Sequence, residues 1–254
     1  MIVAAAVIVV AASCRRGGAA ARAGADSACG TGSSTPAAQG GCALTAADTP
    51  AHGAPANPQP PIPNPHIHRI VFLGTSLTAG YGLDPAESYP ALIQRRLDSL
   101  HLPWRTVNAG VSGETSAGAL RRLDWTLREP AAILVVETGA NDGLRGLDLD
   151  STRANLEAIM RRARELQPDV RIVLAGMEML PNLGPRYAAE FRELYRGTAA
   201  REKVALIPFL LRGVGGVDSL NQADGIHPNA RGERLVAANV WRVLGPMITK
   251  EAGP

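Results

Sequence analysis

Cysteine, aromatic residues and long hydrophobic runs are all scarce in this 254-residue chain, and each shortage narrows the reading. The three cysteines, Cys14, Cys29 and Cys42, all precede Ile70, so the remainder has no thiol to serve as nucleophile or metal ligand. Aromatics make up 4% of residues, and no basic run is interleaved with them. The net charge of +3 comes mostly from arginines spread along the chain, in pairs such as Arg95-Arg96, Arg121-Arg122 and Arg161-Arg162. Such pairs, set among acidic residues in helical stretches, read as solvated helix faces rather than a nucleic-acid surface, so no nucleic-acid partner is expected. There is no Walker Gly-Lys-Ser/Thr motif and no Gly-x-Gly-x-x-Gly after a strand, so no nucleotide cofactor is expected. No metal is expected either: His66 and His68 stand as a lone pair at the end of a linker.

The longest apolar run near the start, Ile2 to Ala12, is too short to span a bilayer and has the length of a signal-peptide core. It ends in Ala11-Ala12-Ser13-Cys14, which is similar to a bacterial lipobox with Cys14 as the lipidation site. Residues 1–14 are therefore expected to be an export signal, and the protein to be periplasmic or anchored to a membrane by a lipid on Cys14. Residues 15–68 are rich in Ala, Gly, Ser, Thr and Pro and read as a disordered tether, with a polyproline-like spacer from Pro55 to Pro65. Cys29 and Cys42 are then either partners closing a short loop or two free thiols. Residues 69–249 remain for one folded domain, a usual size for a single core, followed by a tail over 250–254.

Within the domain, strand and helix signals alternate. Arg69 to Leu73, Arg105 to Val107, Ala131 to Val136, Val170 to Leu174 and Val204 to Pro208 are short apolar or β-rich runs. Between and after them, Tyr89 to Leu100, Ser116 to Leu127, Ser151 to Leu166, Arg186 to Glu202 and Ala230 to Leu244 have helical spacing, with Ser151 placed as an N-cap. The alternation predicts an α/β fold: a five-stranded parallel sheet, doubly wound, with helices on both faces. In such folds chemistry gathers beyond the C-terminal ends of the strands.

Four segments lie at those places. After the first strand comes Gly74-Thr75-Ser76-Leu77, which presents a hydroxyl at the sheet edge. After the second comes Asn108-Ala109-Gly110-Val111-Ser112-Gly113-Glu114-Thr115, whose glycines allow a backbone N–H to approach a ligand closely. After the third comes Gly139-Ala140-Asn141-Asp142-Gly143, with an amide able to donate to a developing negative charge. Before the last helix comes Asp224-Gly225-Ile226-His227-Pro228-Asn229, where a carboxylate three residues before a histidine can hold one imidazole nitrogen. The domain's other histidine, His101, sits at a helix end. Each segment alone is equally what an ordinary turn uses. Together they supply a nucleophile, a base, an acid to orient it, and oxyanion donors, the set that acyl transfer requires.

In these four blocks the chain resembles the SGNH (GDSL-type) hydrolase family, and most of all its bacterial thioesterase I, lysophospholipase L1 and arylesterase branch. The segment with Leu180-Pro181-Asn182, Gly184 and Arg186-Tyr187 is also similar to that branch. The resemblance covers about Ile70 to Leu244. It implies the flavodoxin-like three-layer sandwich of the family, with Ser76 as nucleophile, His227 as base and then acid, and Asp224 orienting it. It further implies an oxyanion hole from the N–H groups of Ser76 and Gly113 and the amide of Asn141, and substrate contacts from Leu77, Asp142, Leu180 and Pro181. The one departure in the first block is Thr75, where the family has Asp; the position is outside the triad, so activity is expected to survive with altered hydrogen bonding around the loop.

The resemblance implies a monomeric serine hydrolase without metal or organic cofactor, cleaving carboxylic esters or thioesters of small acyl or lysolipid-like substrates. Three rivals share the sequence: a carbohydrate O-acetylesterase on the same fold, an acyltransferase, and a non-catalytic surface binding module.

Overall fold

The computed structural model describes residues 67–179 and 183–249. Five parallel strands form one sheet: β1 His68–Gly74, β2 Trp104–Gly110, β3 Ile133–Val136, β4 Arg171–Ala175 and β5 Ala205–Ile207. Their order is β2-β1-β3-β4-β5. β1 pairs with β2 from His68 opposite Trp104 to Gly74 opposite Gly110, and on its other side with β3 from Ile70 opposite Ile133. The central strands explain this arrangement. Ile70 to Leu73 and Ile133 to Val136 are wholly buried, as continuous apolar runs must be when helices cover both faces.

The helices are α1 Ser76–Ala79, α2 Tyr89–Ser99, α3 Ser116–Arg121, α4 Leu123–Thr126, α5 Ala140–Leu144, α6 Leu149–Leu166, α7 Pro185–Glu202 and α8 Ala230–Thr249. α2 packs with α8 on one face; α3, α6 and α7 pack side by side on the other. The result is a three-layer, doubly wound α/β fold. The chain order reverses between β1 and β3, and doubly wound folds gather their chemistry beyond the C-terminal ends of the strands at such a switch point.

Local chemistry corrects several sequence expectations. His68, assigned to the tether, is the first residue of β1; its ring lies 4.8 Å from that of Trp104. The N-cap of α6 is Asp148, not Ser151: its carboxylate accepts from Ser151 N at 2.8 Å, so the helix starts a turn earlier. The stretch Ser116 to Leu127 is two helices. Arg122 interrupts them at φ −99°, ψ 3°, with its guanidinium turned back to Glu114 and the Gly74 carbonyl. α8 continues past Leu244 to Thr249, with Pro246 inside its last turn.

Candidate active site

Ser76 is the first residue of α1, directly after β1. The turn that carries it is tight. A Cβ on Gly74 would lie 1.9 Å from Thr78 Oγ1, and one on Gly110 would lie 2.3 Å from Ala79 N. Glycine at 74 therefore lets the turn fold onto Thr78 and Glu137, and glycine at 110 lets β2 close on the turn. Val111 N and Arg122 Nη2 both donate to the Gly74 carbonyl, at 2.9 and 3.1 Å.

Beneath this turn lies Glu137, at the end of β3 and fully buried. Its carboxylate accepts from Thr75 N at 2.7 Å, from Thr75 Oγ1 at 3.0 and 3.1 Å, and from Thr78 Oγ1 at 2.8 Å. Burial pushes the Glu137 carboxyl up to about 6, and these hydrogen bonds limit the rise. Thr75 thus replaces the family's acid with a hydroxyl that donates to a carboxylate already present. The polar chain continues from Thr78 Oγ1 to Tyr89 Oη at 2.6 Å, and Tyr89 N donates to Glu233 of α8 at 2.7 Å. Burial pushes Glu233 up to about 8, with the charge of Glu137 adding to the rise.

His227 reaches Ser76 from a loop ahead of α8. Gln222 N donates to the His227 carbonyl at 2.8 Å, which holds the loop closed. Asp224 Oδ1 accepts from Ile226 N at 2.9 Å and His227 N at 3.0 Å; its Oδ2 lies 2.6 Å from His227 Nδ1. The opposite nitrogen, Nε2, lies 2.9 Å from Ser76 Oγ. Burial works to raise the Asp224 carboxyl, but the hydrogen bonds from His227 and Ile226 outweigh it and hold it at about 2. Tyr81 packs on the imidazole with ring centroids 4.7 Å apart.

The other two segments follow β2 and β3. Gly113 sits at φ +76°, a conformation that costs a side-chain-bearing residue energy and that glycine adopts freely. Its carbonyl accepts from Arg145 Nη2 at 2.7 Å. Asn141, in α5, donates its Nδ2 to the Glu114 carbonyl at 3.0 Å, so the amide and the Gly113 loop are tied together. Glu114 is in turn paired with Arg122 at 2.7 Å.

Two expected substrate contacts have other surroundings. Leu77 belongs to the hydrophobic core, and Asp142 is buried beneath the start of α3, where Ser116 N donates to it at 2.8 Å. Leu180, Pro181 and Cys14 lie outside the described residues. Sequence reading gave no role to Glu137, Arg145 or Tyr81. For Glu137 a signal existed: a carboxylate directly ending an apolar strand, at the edge where the other segments gather.

The architecture and this constellation are those of an α/β ester-hydrolase class, and comparison places the chain within it. The chain belongs to the GDSL-like lipase/acylhydrolase family, whose sequence model matches residues 72–235. It is 42% identical to esterase TesA of Pseudomonas aeruginosa over 180 residues, 70% of this chain and 89% of that one. A crystal structure of TesA matches with a TM-score of 0.68, covering 70% of this chain and 99% of that chain. It is 33% identical to thioesterase 1/protease 1/lysophospholipase L1 of Escherichia coli over 187 residues, 72% of this chain and 86% of that one. The crystal structure of AlinE4, an SGNH-hydrolase family esterase, matches at 38% identity with a TM-score of 0.59, covering 74% of this chain and 97% of that chain.

Proposed function

We propose that the protein is an exported serine esterase that hydrolyses carboxylic esters or thioesters of acyl chains by a two-step acyl transfer. The observation that carries this reading is the unbroken line Asp224 Oδ2, His227 Nδ1, His227 Nε2, Ser76 Oγ, with gaps of 2.6 and 2.9 Å. A carboxylate held ionised fixes the imidazole tautomer, and the free nitrogen takes the serine proton as Oγ attacks the carbonyl carbon. The negative charge moves to the carbonyl oxygen, where the N–H groups of Ser76 and Gly113 and the amide of Asn141 receive it. His227 then gives its proton to the departing alcohol or thiol. Water, deprotonated by His227, attacks the acyl-enzyme and releases the acid. No step calls for a metal or organic cofactor.

The similarity to proteins named esterase and thioesterase supports an ester or thioester bond as the target. Export rests on the apolar run Ile2 to Ala12 and the Ala11-Ala12-Ser13-Cys14 segment; lipid attachment at Cys14, and residues 15–68 as a tether, complete that part of the reading. In the folded part, no helix of the described residues is long and apolar enough to cross a membrane.

The test is turnover of p-nitrophenyl esters from acetyl to palmitoyl by the purified full chain. Hydrolysis with a defined chain-length optimum supports the reading. A folded protein that turns over none of them contradicts it and leaves the carbohydrate O-acetylesterase or the binding-module alternative.

A further inference from the structure

Behind the loop that carries Gly113 there is a second, charged cleft. It measures about 430 Å³ and is walled by Val111 to Thr115, by α3 and by the end of α5. Three guanidinium-bearing residues line it, Arg121, Arg122 and Arg145, against a single carboxylate, Glu114. Arg122 is committed: its Nε lies 2.8 and 2.9 Å from the two Glu114 oxygens, and its Nη2 bonds Gly74 O. Arg145 uses Nη2 on the Gly113 carbonyl, and its other guanidinium N–H groups make no hydrogen bond among the described residues. Arg121 is exposed, and its side chain makes neither hydrogen bond nor ion pair among the described residues. Two positive charges in this cleft therefore lack a counter-charge.

Gly113 is shared between the two sites. Its N–H is the oxyanion donor of the proposed mechanism, and its carbonyl is what Arg145 holds at 2.7 Å. Arg145 therefore grips the same residue whose N–H is the proposed oxyanion donor, so the cleft and the proposed acyl-transfer site meet at Gly113. Guanidinium forks match the geometry of carboxylate and phosphate oxygens, and such charge-assisted bonds are stronger than neutral ones.

We propose that this cleft is a subsite for an anionic group, carboxylate or phosphate, carried by the ester close to its scissile carbonyl, with Arg121 and Arg145 determining that specificity. The inference rests on Ser76 being the ester-cleaving nucleophile. The anion has two places to sit. It is either on the acyl side, as in a monoester of a dicarboxylic acid, or on the alcohol side, as in an acylglycerol phosphate.

Two matched pairs of substrates separate these sources: p-nitrophenyl hemisuccinate against p-nitrophenyl butyrate, and 1-butyrylglycerol 3-phosphate against 1-butyrylglycerol. The full chain and its Arg121→Gln variant are compared by kcat/KM at low and high NaCl. The expected result is a preference for the anionic member in one pair. Arg121→Gln reduces that preference about fivefold to tenfold, the factor supplied by one charge-assisted contact at a solvent-open site. The same variant leaves the neutral esters unchanged, and salt weakens only the anionic turnover. Neutral turnover with no charge preference in either pair overturns the subsite and leaves the esterase reading intact. So does a preference that Arg121→Gln does not alter. Absence of turnover on all four substrates overturns the esterase reading, and this inference with it.

Discussion

His227 Nε2 and Ser76 Oγ are 2.9 Å apart although 151 residues separate them in the chain. Two rigid pieces bring them together. The serine is fixed at the end of β1 by a glycine-dependent turn seated on Glu137, and the histidine by a loop closed between Gln222 and its own carbonyl. The proposed mechanism requires the imidazole in one tautomer, and Asp224, 2.6 Å from Nδ1, is the group proposed to fix it.

Asp224→Asn tests this orientation. The amide keeps the shape but is able to donate where the carboxylate only accepts, so the imidazole turns its acceptor nitrogen toward residue 224 and away from Ser76. We expect kcat to fall on the order of 10³- to 10⁴-fold, with the protein folded as before. Steady-state kinetics beside circular dichroism measure both. An unchanged kcat removes Asp224 from the mechanism.

Asn141→Ala removes one proposed oxyanion donor. A loss on the order of 10²- to 10³-fold in kcat is expected, with KM nearly constant, because the charge it receives develops only in the transition state. A rise in KM at constant kcat instead assigns Asn141 to ground-state binding.

Thr75→Val keeps the shape of the side chain and deletes the hydroxyl that bonds Glu137 at 3.0 and 3.1 Å. Glu137 retains Thr75 N and Thr78 Oγ1. Loss of one buried charged hydrogen bond predicts a destabilisation of about 1.5–3 kcal/mol in denaturant unfolding. Retention of full stability means that the two remaining donors satisfy the carboxylate.

Glu233 carries the opposite sign of effect. Its folded value, about 8, lies above the ordinary 4.5 for glutamate. Between these values the folded state holds more protons than the unfolded chain, so stability falls as pH rises through the window. Glu233→Gln still offers a carbonyl oxygen to Tyr89 N and carries no charge. It is expected to stabilise the protein by up to a few kcal/mol at pH 8, at about 1.4 kcal/mol per unit, and by little at pH 4.5. Urea titrations of both proteins across this range measure the difference; a gain independent of pH contradicts the buried-charge explanation.

Much of this architecture is written in local sequence. Apolar runs such as Ile133 to Val136 mark strands covered on both faces, and the Asp224-to-His227 spacing marks a short loop that folds one side chain onto the other. What escaped the sequence is set by tertiary packing. No local pattern says that Glu137 and Glu233 are buried near each other, since the threonine and tyrosine groups that satisfy them come from other elements. The burial of Leu77 and Asp142 is likewise decided by what packs over them. The break at Arg122 follows an arginine pulled toward Glu114 and Gly74, whereas the periodicity around it runs on without interruption.

The central claim is that Ser76 is the nucleophile. Its most direct test is intact-mass and peptide mass spectrometry of the full chain after treatment with a fluorophosphonate, beside the Ser76→Ala variant. The account predicts a single adduct, located on Ser76, forming in step with loss of ester turnover, and neither adduct nor turnover in Ser76→Ala. An adduct on another residue, or turnover that survives in the variant, contradicts it.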